Sequence, residues 1–275
     1  MKRTIATLAA ATLLGGGLAA AGTGSAAAAP SFARAFGLTA TDQLISFRLN
    51  APGQVQTLGK VRGLGADRSL VGMDIRPATG QLYAVGRQGG LFVVNKRTAA
   101  ARKVGQLGEP LQGSSFGVDV NPAADALRIV SNTGQNLRYS FAARTTTVDT
   151  PLSTPDVEGT TRGITGAAYT NNDTSDVTGT ALYDLSSAAD TLVLQAPANG
   201  GTITTLGQLR RNAPAQVGFD IRSTLAGERT VGNEGFATFG ASLYRIDLTT
   251  GEATAPRTIG KNRRVTDLAV VQPRR

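Results

Sequence analysis

Three aspartates recur in one setting, Val71-Gly72-Met73-Asp74-Ile75-Arg76, Phe116-Gly117-Val118-Asp119-Val120-Asn121 and Val217-Gly218-Phe219-Asp220-Ile221-Arg222, and a looser copy, Val265-Thr266-Asp267-Leu268-Ala269, adds a fourth. Carboxylates repeated in this way suit two kinds of chemistry. They can converge as a polar ring that coordinates a cation or grips a ligand, with Arg76 and Arg222 beside them. Alternatively, each can accept backbone N–H bonds at a turn or between neighbouring elements, which explains why the residue returns once per repeat. Repetition favours the second reading, because catalysis rarely needs one group in every repeat. Asp74, Arg76, Asp119, Asp220 and Arg222 stand as candidate ligand-binding residues on the first.

A second constellation is Ser131-Asn132-Thr133-Gly134-Gln135-Asn136, flanked by Arg128 and Arg138. Its side chains both donate and accept hydrogen bonds, so Arg128, Asn132, Gln135 and Asn136 could read a sugar or a peptide. The same residues also suit a tight hairpin turn in which Asn and Gly take positive φ. The oxygen-rich run Asn171-Asn172-Asp173-Thr174-Ser175-Asp176 raises calcium as an option. It lacks the Asp-x-Asn-x-Asp-Gly spacing and terminal Glu of a calcium loop, so no metal ligand and no cofactor is assigned.

Catalytic routes are narrow. The chain has no His and no Cys, which removes a Ser-His-Asp relay, imidazole zinc sites and thiolate nucleophiles. Paired carboxylates could still hydrolyse a glycosidic bond, and a propeller funnel is a known home for that reaction by analogy of fold. Against it, glutamates are few, Trp is absent, and aromatic residues make up only 5%, too few for a broad sugar-stacking platform. A carboxylate-dependent glycoside hydrolase is therefore the alternative to a binding or scaffold role, and no catalytic residue is assigned.

The elements that must position these residues follow from the repeat. Its copies, including a degenerate one at Thr165-Gly166-Ala167-Ala168-Tyr169, return at intervals of about 45 to 52 residues, a period that suits one four-stranded propeller blade. Short β-branched and aromatic runs bounded by Gly, Thr and Asn fill the intervals, among them Leu82-Tyr83-Ala84-Val85, Leu91-Phe92-Val93-Val94, Leu127 to Val130 and Leu137 to Phe141. Leu44 to Leu49 and Leu243 to Leu248 carry one apolar face and one that turns polar, as expected near a solvated edge. The prediction is an all-β propeller of about five four-stranded blades, with six possible if blades are short. A β-sandwich also has many short strands, but they need not repeat in register. The first strands lack a Gly-x-Asp partner and the chain ends on one of that class, so Val265 to Val271 is expected to complete the first blade and close the ring.

Three stretches carry a resemblance: Leu70 to Ala84 with its Val-Gly-Met-Asp-Ile-Arg-Pro-Ala-Thr-Gly, Arg128-Ile129-Val130-Ser131-Asn132-Thr133-Gly134-Gln135-Asn136-Leu137-Arg138, and Ala167-Ala168-Tyr169-Thr170-Asn171-Asn172. They are similar to those of domain-of-unknown-function family 4394, a group of exported bacterial proteins. The resemblance implies a propeller-like fold and brings no activity, substrate or catalytic residue with it. Ala168 in place of the Asp, and Leu225-Ala226-Gly227-Glu228 in place of the Pro-Ala turn, depart from the pattern and weaken any scheme of fivefold identical sites.

The chain opens with Met1-Lys2-Arg3, an apolar stretch from Ile5 to Ala21 and a small-residue track at Ala26 to Ala29, the pattern of a secretory leader. Residues 1–28 are read as a signal peptide and 29–275 as a single propeller domain. That places the mature protein outside the cell or at its envelope. No later run is apolar enough to span a bilayer. With a net charge of +9, the chain could adhere to an anionic cell-wall polymer or glycan, although such a surplus also serves solubility alone. Nucleic acid is not expected, since no basic run is interleaved with aromatics.

Overall fold

The computed structural model describes residues 33–272 except 156, 174 and 176, so the expected leader lies outside the described residues. The first three strands are β1 (Arg34–Thr39), β2 (Gln43–Arg48) and β3 (Ala51–Lys60). Blade 2 follows with β4 (Leu70–Ile75), β5 (Leu82–Gly86), β6 (Gly90–Val94) and β7 (Ala101–Gln106). Blade 3 holds β8 (Phe116–Asn121), β9 (Ala126–Ser131), β10 (Asn136–Ser140) and β11 (Thr145–Val148). Blade 4 holds β12 (Ile164–Tyr169), β13 (Leu182–Ser186), β14 (Thr191–Gln195) and β15 (Ile203–Gln208). Blade 5 holds β16 (Val217–Ala226), β17 (Arg229–Phe239), β18 (Ser242–Ile246) and β19 (Ala253–Thr258), and β20 (Val265–Val270) ends the series.

The five sheets are antiparallel and four-stranded, and the first has the order β20-β1-β2-β3. The last strand therefore supplies the inner strand of blade 1, with Ala35 opposite Val270 and Leu38 opposite Asp267. This is a five-bladed β-propeller closed by its two ends. The inner strands β4, β8, β12, β16 and β20 surround the axis. They carry the repeated motif because each meets an equivalent neighbour.

Apolar packing follows the radial plan. Five hydrophobic clusters fill the five clefts between blades, for example Phe36, Leu38 and Leu44 against Met73, Leu82 and Phe92 between blades 1 and 2. On the other side of blade 1, Ile45 and Phe47 pack with Phe236 and Leu243 of blade 5. The two strands expected near a solvated edge are thus third in their blades. Tyr244 and Arg245 of β18 reach solvent, whereas β2 is buried on both faces up to Arg48 because two blades press on it.

Close approach of the inner strands explains the repeated glycine. A Cβ at Gly117 would lie 2.5 Å from the backbone nitrogen of Ala167 on the next blade, a contact that only backbone movement could relieve. Gly218 faces the backbone of Leu268 at 2.6 Å in the same way. Gly117→Ala is expected to destabilise the protein by about 1–3 kcal/mol through overpacking, read from urea melts. An unchanged midpoint would mean that the strands can part without cost.

Candidate functional site

At the axis the aspartates of β4, β8 and β16 meet. Carboxylate oxygens of Asp74, Asp119 and Asp220 all lie within 4.8 Å of one another, and all three residues are buried. Each one also reaches across to the next inner strand. Asp74 Oδ2 accepts the N–H of Val120 at 2.9 Å, Asp119 Oδ2 that of Tyr169 at 2.8 Å, and Asp220 Oδ2 that of Val270. Asp267 on β20 accepts the N–H of Met73 and completes the link from blade 1 to blade 2. The carboxylates are rivets between blades, each satisfying a backbone donor that the radial layout leaves unpaired.

Two blades depart from the pattern. Val270 is bound as Val120 is, so Ala269 occupies the aspartate position on β20 and Asp267 lies two residues earlier, a displacement that sequence alignment of the last repeat hid. In blade 4 the position is Ala168, and the link to blade 5 comes from Asn172, whose N–H donates to Ser223 Oγ and whose Nδ2 donates to the carbonyl of Ile221.

Burial and crowding of the acids at the axis set their protonation. Burial is the largest influence on Asp74 and pushes it up to about 7, against the hydrogen bonds from Val120 and Ile75. Burial raises Asp119, Asp220 and Asp267 well above the usual carboxylate range, and like charges in the ring add to it. The cluster can therefore hold protons. The same trio has the oxygen donors a hard cation would use. The oxygens of Asp173, in the run considered for calcium, accept the N–H groups of Ser175 and Thr230.

A second buried polar cluster joins blades 3 and 4. The guanidinium of Arg128, 1% exposed, donates to Asn136 Oδ1 and Asp149 Oδ2, both at 2.7 Å, to Asn199 Oδ1 at 2.6 Å, and to the Tyr169 hydroxyl at 3.3 Å. Asn136 in turn donates to the carbonyls of Thr150 and Ala198. Nearby, Asp184 is fully buried and neither carboxylate oxygen has a hydrogen-bond partner among the described residues. Burial drives it up to about 8, with the charge of Arg128 pulling the other way. Its folded value exceeds the unfolded one, so its contribution to stability fades as pH rises through about 8. Asp184→Asn is expected to narrow the drop in melting temperature between pH 5 and 8, which lies between the unfolded and folded values (about 4 is the ordinary aspartate value); an unaltered drop would refute the assignment.

The remaining candidates are dispersed. Asn132 Oδ1 accepts the N–H groups of Ser114 and Ser115, while Gln135 binds the N–H of Gln112 and the carbonyl of Pro110. Both brace the connection from blade 2 to blade 3. Arg222 pairs with Glu234, which also binds Arg245. Arg76 turns away from Asp74 and pairs with Asp125 of blade 3, its Nε 2.7 Å from Oδ1, with its guanidinium 4.3 Å above the Phe141 ring. There it joins groups with no signal in the repeat. A cavity of about 430 Å³ between blades 2 and 3 is lined by Arg76, Tyr83, Arg102, Lys103, Phe141 and Arg144 among others. The signal available in sequence was the adjacent pair Arg102-Lys103 on a strand whose apolar residues face inward.

These features define a five-bladed propeller whose axis is fastened by acidic residues and whose rim carries a basic recess. The chain belongs to the family described as Domain of unknown function (DUF4394), whose model matches residues 43–269. No curated protein matches it. Among solved structures, a chain in the crystal structure of a nidogen/laminin complex has a TM-score of 0.52 at 12% identity, over 88% of this chain and 99% of that one. At that identity the likeness is one of fold. A protein of unknown function from Bacteroides thetaiotaomicron gives a TM-score of 0.48 at 12% identity, over 86% of this chain and 61% of its own. An auxiliary nutrient binding protein from the same organism gives 0.41 at 13% identity, over 86% and 58%. No helix among the described residues is long and apolar enough to cross a membrane.

Proposed function

We propose that the protein is a binding or scaffold module, exported to the cell envelope or beyond it, that holds an anionic wall polymer or glycan. The supporting observation is the use to which the acids are put: Asp74, Asp119, Asp220 and Asp267 each bind a backbone amide of the neighbouring blade. Acids employed as fasteners leave the rim and the loops as the surfaces for recognition. The competing reading, glycoside hydrolysis, draws on raised carboxyl pKa values, which a general acid requires. It also requires a substrate bond between two acids, and the axial trio is buried.

The test has two parts. Incubated with polygalacturonate, a glycerol-phosphate polymer and neutral oligosaccharides, the purified protein should be retained by the anionic materials without releasing new reducing ends. Release of reducing ends that disappears in Asp74→Asn would favour the hydrolase and overturn the binding reading. Export is tested by N-terminal sequencing of protein recovered from medium or envelope, where a start at Ala29 is expected. Cytosolic protein that retains Lys2 and Arg3 would overturn it.

A further inference from the structure

The five outer strands face a common problem and solve it differently. Each ends its sheet with an open edge, and charged side chains on such edges discourage pairing with other chains. If that were the whole purpose of the basic residues, they would be spread over all five blades. They are not: β11 (Thr145–Val148) and β15 (Ile203–Gln208) carry no charge, and β3 and β19 carry Lys60 and Arg257 alone. Only β7 places two adjacent cations, Arg102 and Lys103, on its exposed edge.

Other cations gather around that edge. Arg144 comes from blade 3, is exposed, and has its guanidinium fixed at the rim by donation to the Val104 carbonyl at 2.9 Å. Among the described residues, Lys103 donates to the neutral Gln106 side chain at 2.6 Å and forms no ion pair. On the far side of β7 a second cavity, of about 590 Å³, is lined by Gln81, Asn95, Lys96, Arg97 and Arg102. Arg102 belongs to both cavities, and no acidic residue lines either one among the described residues. Arg76, which lines the first cavity, is paired with Asp125.

Between them the cavities offer polar donors and an apolar wall. Tyr83, Tyr139 and Phe141 form a packed aromatic group, with Phe141 centred 4.8 Å from Tyr83 and 5.9 Å from Tyr139. Tyr83 and Tyr139 are buried, so the group offers no open faces on which successive bases could stack. Both volumes fall in the range of small-ligand sites. Two such sites sharing one arginine suit a ligand that continues from one to the next.

We propose that the outer edge of blade 2 is the binding track for a polyanionic glycan, its acidic groups paired with Lys103 and Arg144 in one cavity, Arg97 in the other and Arg102 between them. This rests on the binding reading above and gives it a location. Carboxylate and phosphate share the recognition chemistry, and the choice of polymer separates the two sources.

The experiment measures retention of the mature protein on immobilised polygalacturonate, a glycerol-phosphate polymer, neutral dextran and single-stranded DNA. It compares wild type with Arg102→Ala/Lys103→Ala and with Arg210→Ala/Arg211→Ala, an equal loss of exposed charge in the connection from β15 to β16. The expected result is at least a tenfold loss for the first variant and less than twofold for the second on polygalacturonate, the glycerol-phosphate polymer or both, with dextran not retained. Equal losses in the two variants would mean general charge attraction and would overturn the track. Wild-type binding that survives Arg102→Ala/Lys103→Ala would overturn it too while leaving the binding function standing. Retention of no polymer at all would remove both. Tighter retention on DNA than on polygalacturonate and the glycerol-phosphate polymer would replace the glycan with nucleic acid and overturn the proposal.

Discussion

A chain that stops at Arg264 is expected to lose its cooperative melt. The reason is where β20 lies, not its length. It is the inner strand of blade 1, hydrogen-bonded along β1 from Ala35 to Thr39, and it buries Val265, Leu268, Ala269 and Val270. Burial of one Val or Leu side chain is worth about 1.5–3 kcal/mol, and a folded domain has about 5–15 kcal/mol in hand, so removing the strand takes a large part of the whole. Two rivets leave with it, because Asp267 holds Met73 of blade 2 and the Val270 amide is held by Asp220 of blade 5. Circular dichroism and calorimetry on the truncated chain should show a broad, early transition. Leu268→Ala provides the graded version, with an expected loss of about 2–5 kcal/mol from a buried cavity. A truncated chain that melts sharply at the wild-type temperature would show that ring closure contributes little.

The same geometry explains which parts of the protein could be read from its residues. The repeat was legible where Gly72, Gly117 and Gly218 stand, since the close approach of inner strands admits no Cβ there. Outer strands were harder. Ala51–Lys60 contains Pro52 and Gly53, and Thr145–Val148 is four residues with no buried face, so neither has the alternation that marks a half-buried strand. The alignment of Asp267 with Asp74 failed by two residues because β20 must pair with β1 from the start of the chain, and its own sequence does not reveal that register. The candidate site was legible only in pieces. Arg76 was singled out for its place in the motif, but its partners Asp125 and Phe141 come from the next blade. Arg102 is brought near it by the pairing of β7 within blade 2 and Arg144 by the packing of blade 3, neither of which a linear pattern encodes. Asp184, between Tyr183 and Leu185, is an ordinary strand residue until folding buries it within reach of the charge of Arg128 from blade 3.

Across the interval from pH 5 to pH 8 the propeller is expected to lose stability, and Asp74→Asn to remove much of that loss (about 4 is the ordinary aspartate value). An unfolded aspartate gives up its proton near its ordinary value, while Asp74 in the folded chain keeps it until about 7. Between those values the folded state binds the extra proton. Its stabilising contribution is therefore full below the unfolded value and is lost as pH rises through the folded one. Asp119, Asp220 and Asp267 face Asp74 across the axis and are shifted in the same direction, so their contributions share its sign. For Asp74 alone the change over that interval is on the order of 2–3 kcal/mol if the site does not relax. An asparagine retains the oxygen that accepts the Val120 N–H, so the rivet survives while the charge cannot form. Melting curves at the two pH values and high salt should show the variant close to wild type at the lower pH and more stable than wild type at the higher. A wild type equally stable at both would mean that the ring discharges its crowding another way, and a cation held by Asp74, Asp119 and Asp220 would then be detectable as a rise in melting temperature on adding calcium at the higher pH.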